Sequence, residues 1–95
     1  MNVAEFRASL ASDLPSKEMG FALKALWWDA KGDWIKAHEL AQEDEGSQGA
    51  WVHAYLHRKE GDDSNAAYWY GQAGKKPFHG SFEDEWKQIV SRLLE

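Results

Sequence analysis

The sequence predicts an all-α domain, and three observations predict it. Residues branched at Cβ, which furnish sheets, amount to three Val, two Ile and no Thr, too few for a set of strands. Thirteen Ala, with many Leu, Lys, Glu and Gln, favour helix. Breakers and capping residues then divide the 95 residues into about six helical stretches, a length suited to a single domain over residues 1–95. Leu, Ile, Val and Phe total only 17, so the six Trp and three Tyr must supply much of the core. Each such ring can bury roughly 150–250 Å².

Asn2 can cap a first helix, with Glu5 three residues on to return the bond. Val3, Phe6 and Leu10 are its apolar positions, and it ends before Pro15. Ser16 is expected to cap the second helix, on which Met19, Ala22, Leu23, Leu26, Trp27 and Ala30 recur at helical spacing. Gly32 stops it. Asp33 caps the third, which carries Trp34, Ala37, Leu40 and Ala41 and runs out in the acidic residues 43–45 and Gly46. Ser47 is expected to cap the fourth. Its Ala50, Trp51, Val52, Ala54, Tyr55 and Leu56 cover about two thirds of the circumference, which places it in the middle of the fold. It ends at Gly61. Asp62, Asp63 or Ser64 caps the fifth, with Ala66, Tyr70 and Ala73 on one stripe and Gly74 and Pro77 as stops. Ser81, with Asp84 three residues on, opens the sixth. Its stripe of Phe82, Trp86, Ile89, Val90, Leu93 and Leu94 is one-sided, as suits a terminal cap. The nearest open surface is the end of the second hairpin, onto whose second helix the loop lets the chain turn back, so Trp86 is expected to pack against that hairpin with Trp69 or Tyr70 among its neighbours.

An internal repeat runs through this pattern. Ala25, Gly32, Asp33 and Ala37 recur 29 residues later as Ala54, Gly61, Asp62 and Ala66. Leu26 and Trp27 correspond to Tyr55 and Leu56. Each unit reads as helix, Gly-Asp turn, helix with an early Ala. Facing Ala residues permit a close crossing, and Gly accepts the left-handed backbone of the turn. One unit cannot bury its own face, so the two are expected to stack.

Over residues 19–77 this pattern resembles the tetratricopeptide and Sel1-like helical-hairpin repeats. In the second unit Ala54, Gly61-Asp62, Ala66, Tyr70, Ala73 and Pro77 stand at the family's spacing. The first departs from it, with Ala41 where an aromatic is usual and Asp44 where a small residue is usual. The resemblance implies two hairpins, flanked here by an N-terminal and a C-terminal helix, that form a non-catalytic scaffold binding a protein or peptide. The groove would be lined by Ala22, Leu26 and Asp29 from one unit and by Trp51, Tyr55, Arg58 and Lys59 from the other. Aromatics beside Arg are enriched at binding hot spots. The competing reading of the same residues is that Trp51 and Tyr55 are core, or lie under the sixth helix.

The chemistry-bearing residues offer one further constellation. His53 and His57 are four apart on one helix, a spacing that can chelate a metal ion. His38 is a third candidate ligand, and Glu39 or Glu60 a carboxylate. The plainer reading assigns no metal: His57 fills the slot that Trp28 holds in the first unit, and His53 is an interface residue. Ala54 stands where a zinc protease would need Glu. Gly46-Ser47-Gln48-Gly49 lacks the spacing of a nucleophile elbow. Residues 71–76 lack the first Gly and the final Ser or Thr of a phosphate loop. The acidic clusters lack calcium-loop spacing. No catalytic residue and no cofactor is expected.

Other properties bound the partners. A formal net charge of -5 argues against nucleic acid. The absence of Cys excludes disulfides and thiolate metal sites. No apolar run is long enough to span a bilayer, and residues 1–11 lack the marks of a signal peptide, so a cytoplasmic protein is expected. Three functions fit: a scaffold for an unidentified protein or peptide, a His-based metalloprotein or metal-dependent enzyme, and a Trp-rich structural domain that associates with itself.

Overall fold

The computed structural model describes residues 1–95. It contains six helices and no strand: α1 (Val3–Ser9), α2 (Phe21–Ala30), α3 (Trp34–Glu43), α4 (Ser47–Lys59), α5 (Asp63–Ala73) and α6 (Phe82–Leu93). α2 pairs with α3 and α4 with α5, and α3 packs on α4 to join the two hairpins. α6 lies against α4, α2 and α1.

The turns explain the hairpins. Gly32 and Gly61 take φ of 88° and 89°, values that side-chain-bearing residues avoid. Gly32 N–H donates to the Asp29 carbonyl and Asp33 N–H to that of Trp28; Gly61 and Asp62 repeat this with Arg58 and His57. These paired bonds satisfy carbonyls that a helix end leaves open. The same Asp then starts the next helix, Asp33 accepting from Lys36 N–H and Asp62 from Asn65 N–H. Ala25, Ala37, Ala54 and Ala66 are all buried, as helices crossing closely require. Asn2 and Glu5 form the expected reciprocal cap on α1, and Ser81 caps α6 through Asp84 N–H.

Two caps fall elsewhere than expected. Ser16 does not begin α2: residues 16–19 make a turn of their own, in which the Ser16 hydroxyl accepts from Glu18 N–H and its carbonyl from Met19 N–H. α2 starts after Gly20, without a side-chain cap. Ser47 is the first residue of α4 rather than its cap, and Gly46 precedes it. Asp44 organises this corner by accepting from Gly46 N–H. A Cβ on Gly49 would collide with the Asp44 backbone, so the α3–α4 connection closes over a glycine.

α4 is the central helix: every residue from Gly49 to His57 is buried. α6 packs on α4 of the second hairpin, as expected, but it also reaches α2 and α1. Trp86 donates its Nε1–H to the Leu26 carbonyl at 3.0 Å, and its ring centroid lies 5.6 Å from that of Phe6. Its identified partners are thus on α1 and α2, and Tyr70 of α5 meets α6 through Glu85. Leu26, Val52 and Tyr55 give α2 and α4 the larger apolar face to cover, and all three are buried in the shared core.

Candidate functional site

The residues expected to line a groove do come together, but beneath α6. Leu26, Trp51 and Tyr55 are buried, with Lys75 Nζ 4.3 Å from the Trp51 ring centroid. Tyr55 donates to Asp29 Oδ2 at 2.7 Å, and Lys59 Nζ donates to Asp29 Oδ1 at 3.0 Å. Beside them, Glu85 of α6 accepts from Arg58 Nε at 2.9 Å and from the Tyr70 hydroxyl at 2.5 Å. Each buried carboxylate thus holds one cation and one phenol. Burial first, then the adjacent carboxylate, raises the Tyr55 hydroxyl far above its ordinary range, and burial and the hydrogen bond to Glu85 raise Tyr70. Both phenols remain proton donors at all ordinary pH. What stays open is a cleft of about 270 Å³ beside Arg7, Asp29, Tyr55, Lys59 and Trp86. The groove residues are therefore largely internal, the second of the two readings weighed for Trp51 and Tyr55. Glu85 was missed, although its signal was present: it stands on the apolar stripe of α6, between Phe82 and Ile89.

A second constellation forms where α3 meets α4. His38 of α3 and His53 of α4 share a hydrogen bond between their Nε2 atoms at 2.8 Å. His57, one turn further along α4, joins them: one ligand atom from each of the three rings lies within 4.8 Å of the others. Glu60, three residues on and still in helical conformation at the end of α4, lies beside His57, whose Nδ1 is 2.6 Å from Glu60 Oε1. Two indoles enclose the cluster. Trp34 stacks on His38 at 4.9 Å between centroids, and Trp69 stacks on His53 at 4.0 Å. Trp34 is fixed in turn by donating its Nε1–H to the Leu56 carbonyl at 2.9 Å.

Electrostatics follow from this crowding. Burial, and then the neighbouring His38 and His57, push His53 down to about 4. Burial and His57 also lower His38, with Glu60 and Glu39 partly opposing the shift. Near neutral pH His38 and His53 therefore carry no charge, the form in which an imidazole nitrogen can ligate. His57 retains the helix-end position that Trp28 has in the first hairpin, its carbonyl accepting from Asp62 N–H as that of Trp28 accepts from Asp33 N–H. Its ring nevertheless faces the other two. Of the expected carboxylates Glu60 is present at the cluster, while Glu39 is exposed and acts only at a distance. Trp34 stands four residues before His38, so its stacking was legible as helical spacing. Trp69 comes from another helix and left no such mark.

No family model matches the chain, and no curated protein or solved structure matches it. No helix is long and apolar enough to cross a membrane.

Proposed function

We propose that this chain is a small helical-hairpin protein that binds one transition-metal ion through His38, His53 and His57. The observation that carries this reading is the convergence of three ring nitrogens within 4.8 Å of one another. Donors around a tetrahedral zinc-type ion, with bonds of about 2.0–2.1 Å, stand about 3.3 Å apart. The 2.8 Å between the Nε2 atoms of His38 and His53 and the 4.8 Å limit bracket that value. A ligated metal lies in the plane of each imidazole, so seating the ion requires His53 or His57, now stacked at 4.9 Å with 16° between ring planes, to turn about its side-chain bonds. Glu60 supports the reading: a neutral His57 that donates Nδ1–H to it keeps its lone pair on Nε2, the usual outer partner of a metal-bound imidazole. An all-imidazole donor set suits Zn²⁺, Cu²⁺, Ni²⁺ or Co²⁺ rather than Mg²⁺ or Ca²⁺, which take oxygen ligands. Isothermal titration of tag-free, chelator-treated protein with Zn²⁺ tests it. One ion per chain is expected, with binding weakened at least tenfold by His38→Ala, the least buried of the three changes. Failure of the folded wild type to bind ends the reading.

A second reading, a scaffold for a protein or peptide, follows from the helical-hairpin resemblance and is favoured by one observation. Phe21, Ile35 and Tyr68 are exposed large hydrophobics. With the inner groove under α6, a partner would use one of these outer positions. Capture of a partner by the wild type that Ile35→Glu abolishes, and that groove changes leave intact, would support it; equal capture by both would remove it.

A further inference from the structure

We infer that the ion held by His38, His53 and His57 keeps one coordination position open to exchange and takes a small anion there. This rests on the metal reading above and adds to it the character of the site.

The three imidazoles have no fourth donor of their own. The cluster of mutually close ligand atoms stops at His38, His53 and His57; Glu60 falls with His57 and Asp62 in a separate set. Glu60 is engaged by His57 Nδ1 at 2.6 Å, and Asp62 by Asn65 N–H as the cap of α5. A metal ion with three protein ligands completes its shell from solvent, whereas a closed structural site supplies four. The approach is not sealed. His38 is only half-buried, although His53 and His57 are buried. A cleft of about 440 Å³, lined by His53, Trp69, Gln42, Asp44, Ser47 and Gln72, also reaches the cluster.

Charge selects the exchangeable ligand. Three neutral imidazoles leave a dication uncompensated, and Glu60, one bond removed, offsets only part of it. An anionic fourth ligand such as hydroxide, azide or a simple carboxylate is therefore favoured over a neutral one. Asp44 and Glu45 line the cleft, so repulsion grows with the charge of an entering ligand and favours a monoanion over a polyanion. A Zn²⁺ ion held this way would lower the pKa of a bound water towards about 7, which would make hydroxide available as the fourth ligand near neutrality.

Cobalt separates the parts of this inference. The full chain is loaded with Co²⁺, the visible d–d bands are recorded, and azide is added. A saturable shift in band position and intensity is expected in the wild type, and again in Glu60→Gln once it is loaded at the higher Co²⁺ concentration that loss of the outer partner of His57 requires. If the wild type binds neither Co²⁺ nor Zn²⁺, the metal reading itself fails. If it binds Co²⁺ but the bands ignore saturating azide, the ion has four protein ligands and the open position is overturned. A response to azide that appears only in Glu60→Gln overturns it too, and identifies Glu60 as the fourth ligand. Far-ultraviolet circular dichroism of the variant guards against a trivial loss of fold.

Discussion

His53 is the residue on which the electrostatics of the histidine cluster converge, and its titration has a predictable sign. Its value in the folded chain, about 4, lies below the 6.5 of a free imidazole. As pH falls between those values the unfolded chain takes up the proton first, so protonation favours unfolding. The stabilising contribution of neutral His53 is complete above the unfolded value and is lost as pH falls through the folded one. The metal-free melting temperature should therefore drop across this window, and His53→Asn should flatten the drop; an unchanged slope would refute the assignment. Tyr55 makes a separate test. Tyr55→Phe leaves one oxygen of buried Asp29 without its donor and should cost about 1–3 kcal/mol in denaturant unfolding. Legibility at this scale followed locality. His53 and His57 announce themselves by spacing along one helix, and Trp34 by spacing to His38. Glu85 and Trp69 act on residues of other helices, and sequence distance hides such partners.

Among the elements, the turns carry the most specific chemistry. The second Gly-Asp pair ends α4 and begins α5, so single changes there act on two helices. Gly61→Ala forces a Cβ into a left-handed conformation and should cost roughly 1–2 kcal/mol. Asp62→Ala removes a side-chain cap and should cost about 1 kcal/mol. Gly49→Ala sets a Cβ against the Asp44 backbone and should destabilise by about 1–3 kcal/mol through overpacking. Urea unfolding checks all three, and a neutral Gly49→Ala would mean that the α3–α4 connection relaxes freely. The caps at Asn2, Asp33, Asp62 and Ser81 were readable because donor and acceptor lie within three residues of each other. Ser16 and Ser47 misled because each was judged without its surroundings: one is consumed by the turn over residues 16–19, the other is displaced by the corner that Asp44 builds. The apolar stripe of α6 said that the helix covers something. It could not say what, because the bond from Trp86 to Leu26 spans 60 residues.

At the scale of the whole molecule, α6 is held by both apolar and ionic contacts. Arg58 and Tyr70 meet on Glu85, and Trp86 reaches Leu26. Truncation before Ser81 would leave Arg58 without its carboxylate and open the core of α2 and α4 to water. Loss of cooperative thermal melting, or aggregation, is the expected result; a soluble product melting unchanged would show that α6 is dispensable. Removing only the cation, by Arg58→Met, strands a buried Glu85 and should cost about 3–5 kcal/mol.

The placement of His38 on one hairpin and His53 on the other has a topological consequence. The two rings close a loop of 15 residues around the α3–α4 connection, in a chain that has no cysteine. An ion bridging them would serve as a cross-link that a chelator can remove. A covalent bridge across a loop of that size restricts the unfolded chain by about 3 kcal/mol. Zinc should accordingly raise the melting temperature, EDTA should reverse the gain, and His38→Ala, which opens the loop, should abolish it while leaving the metal-free protein folded.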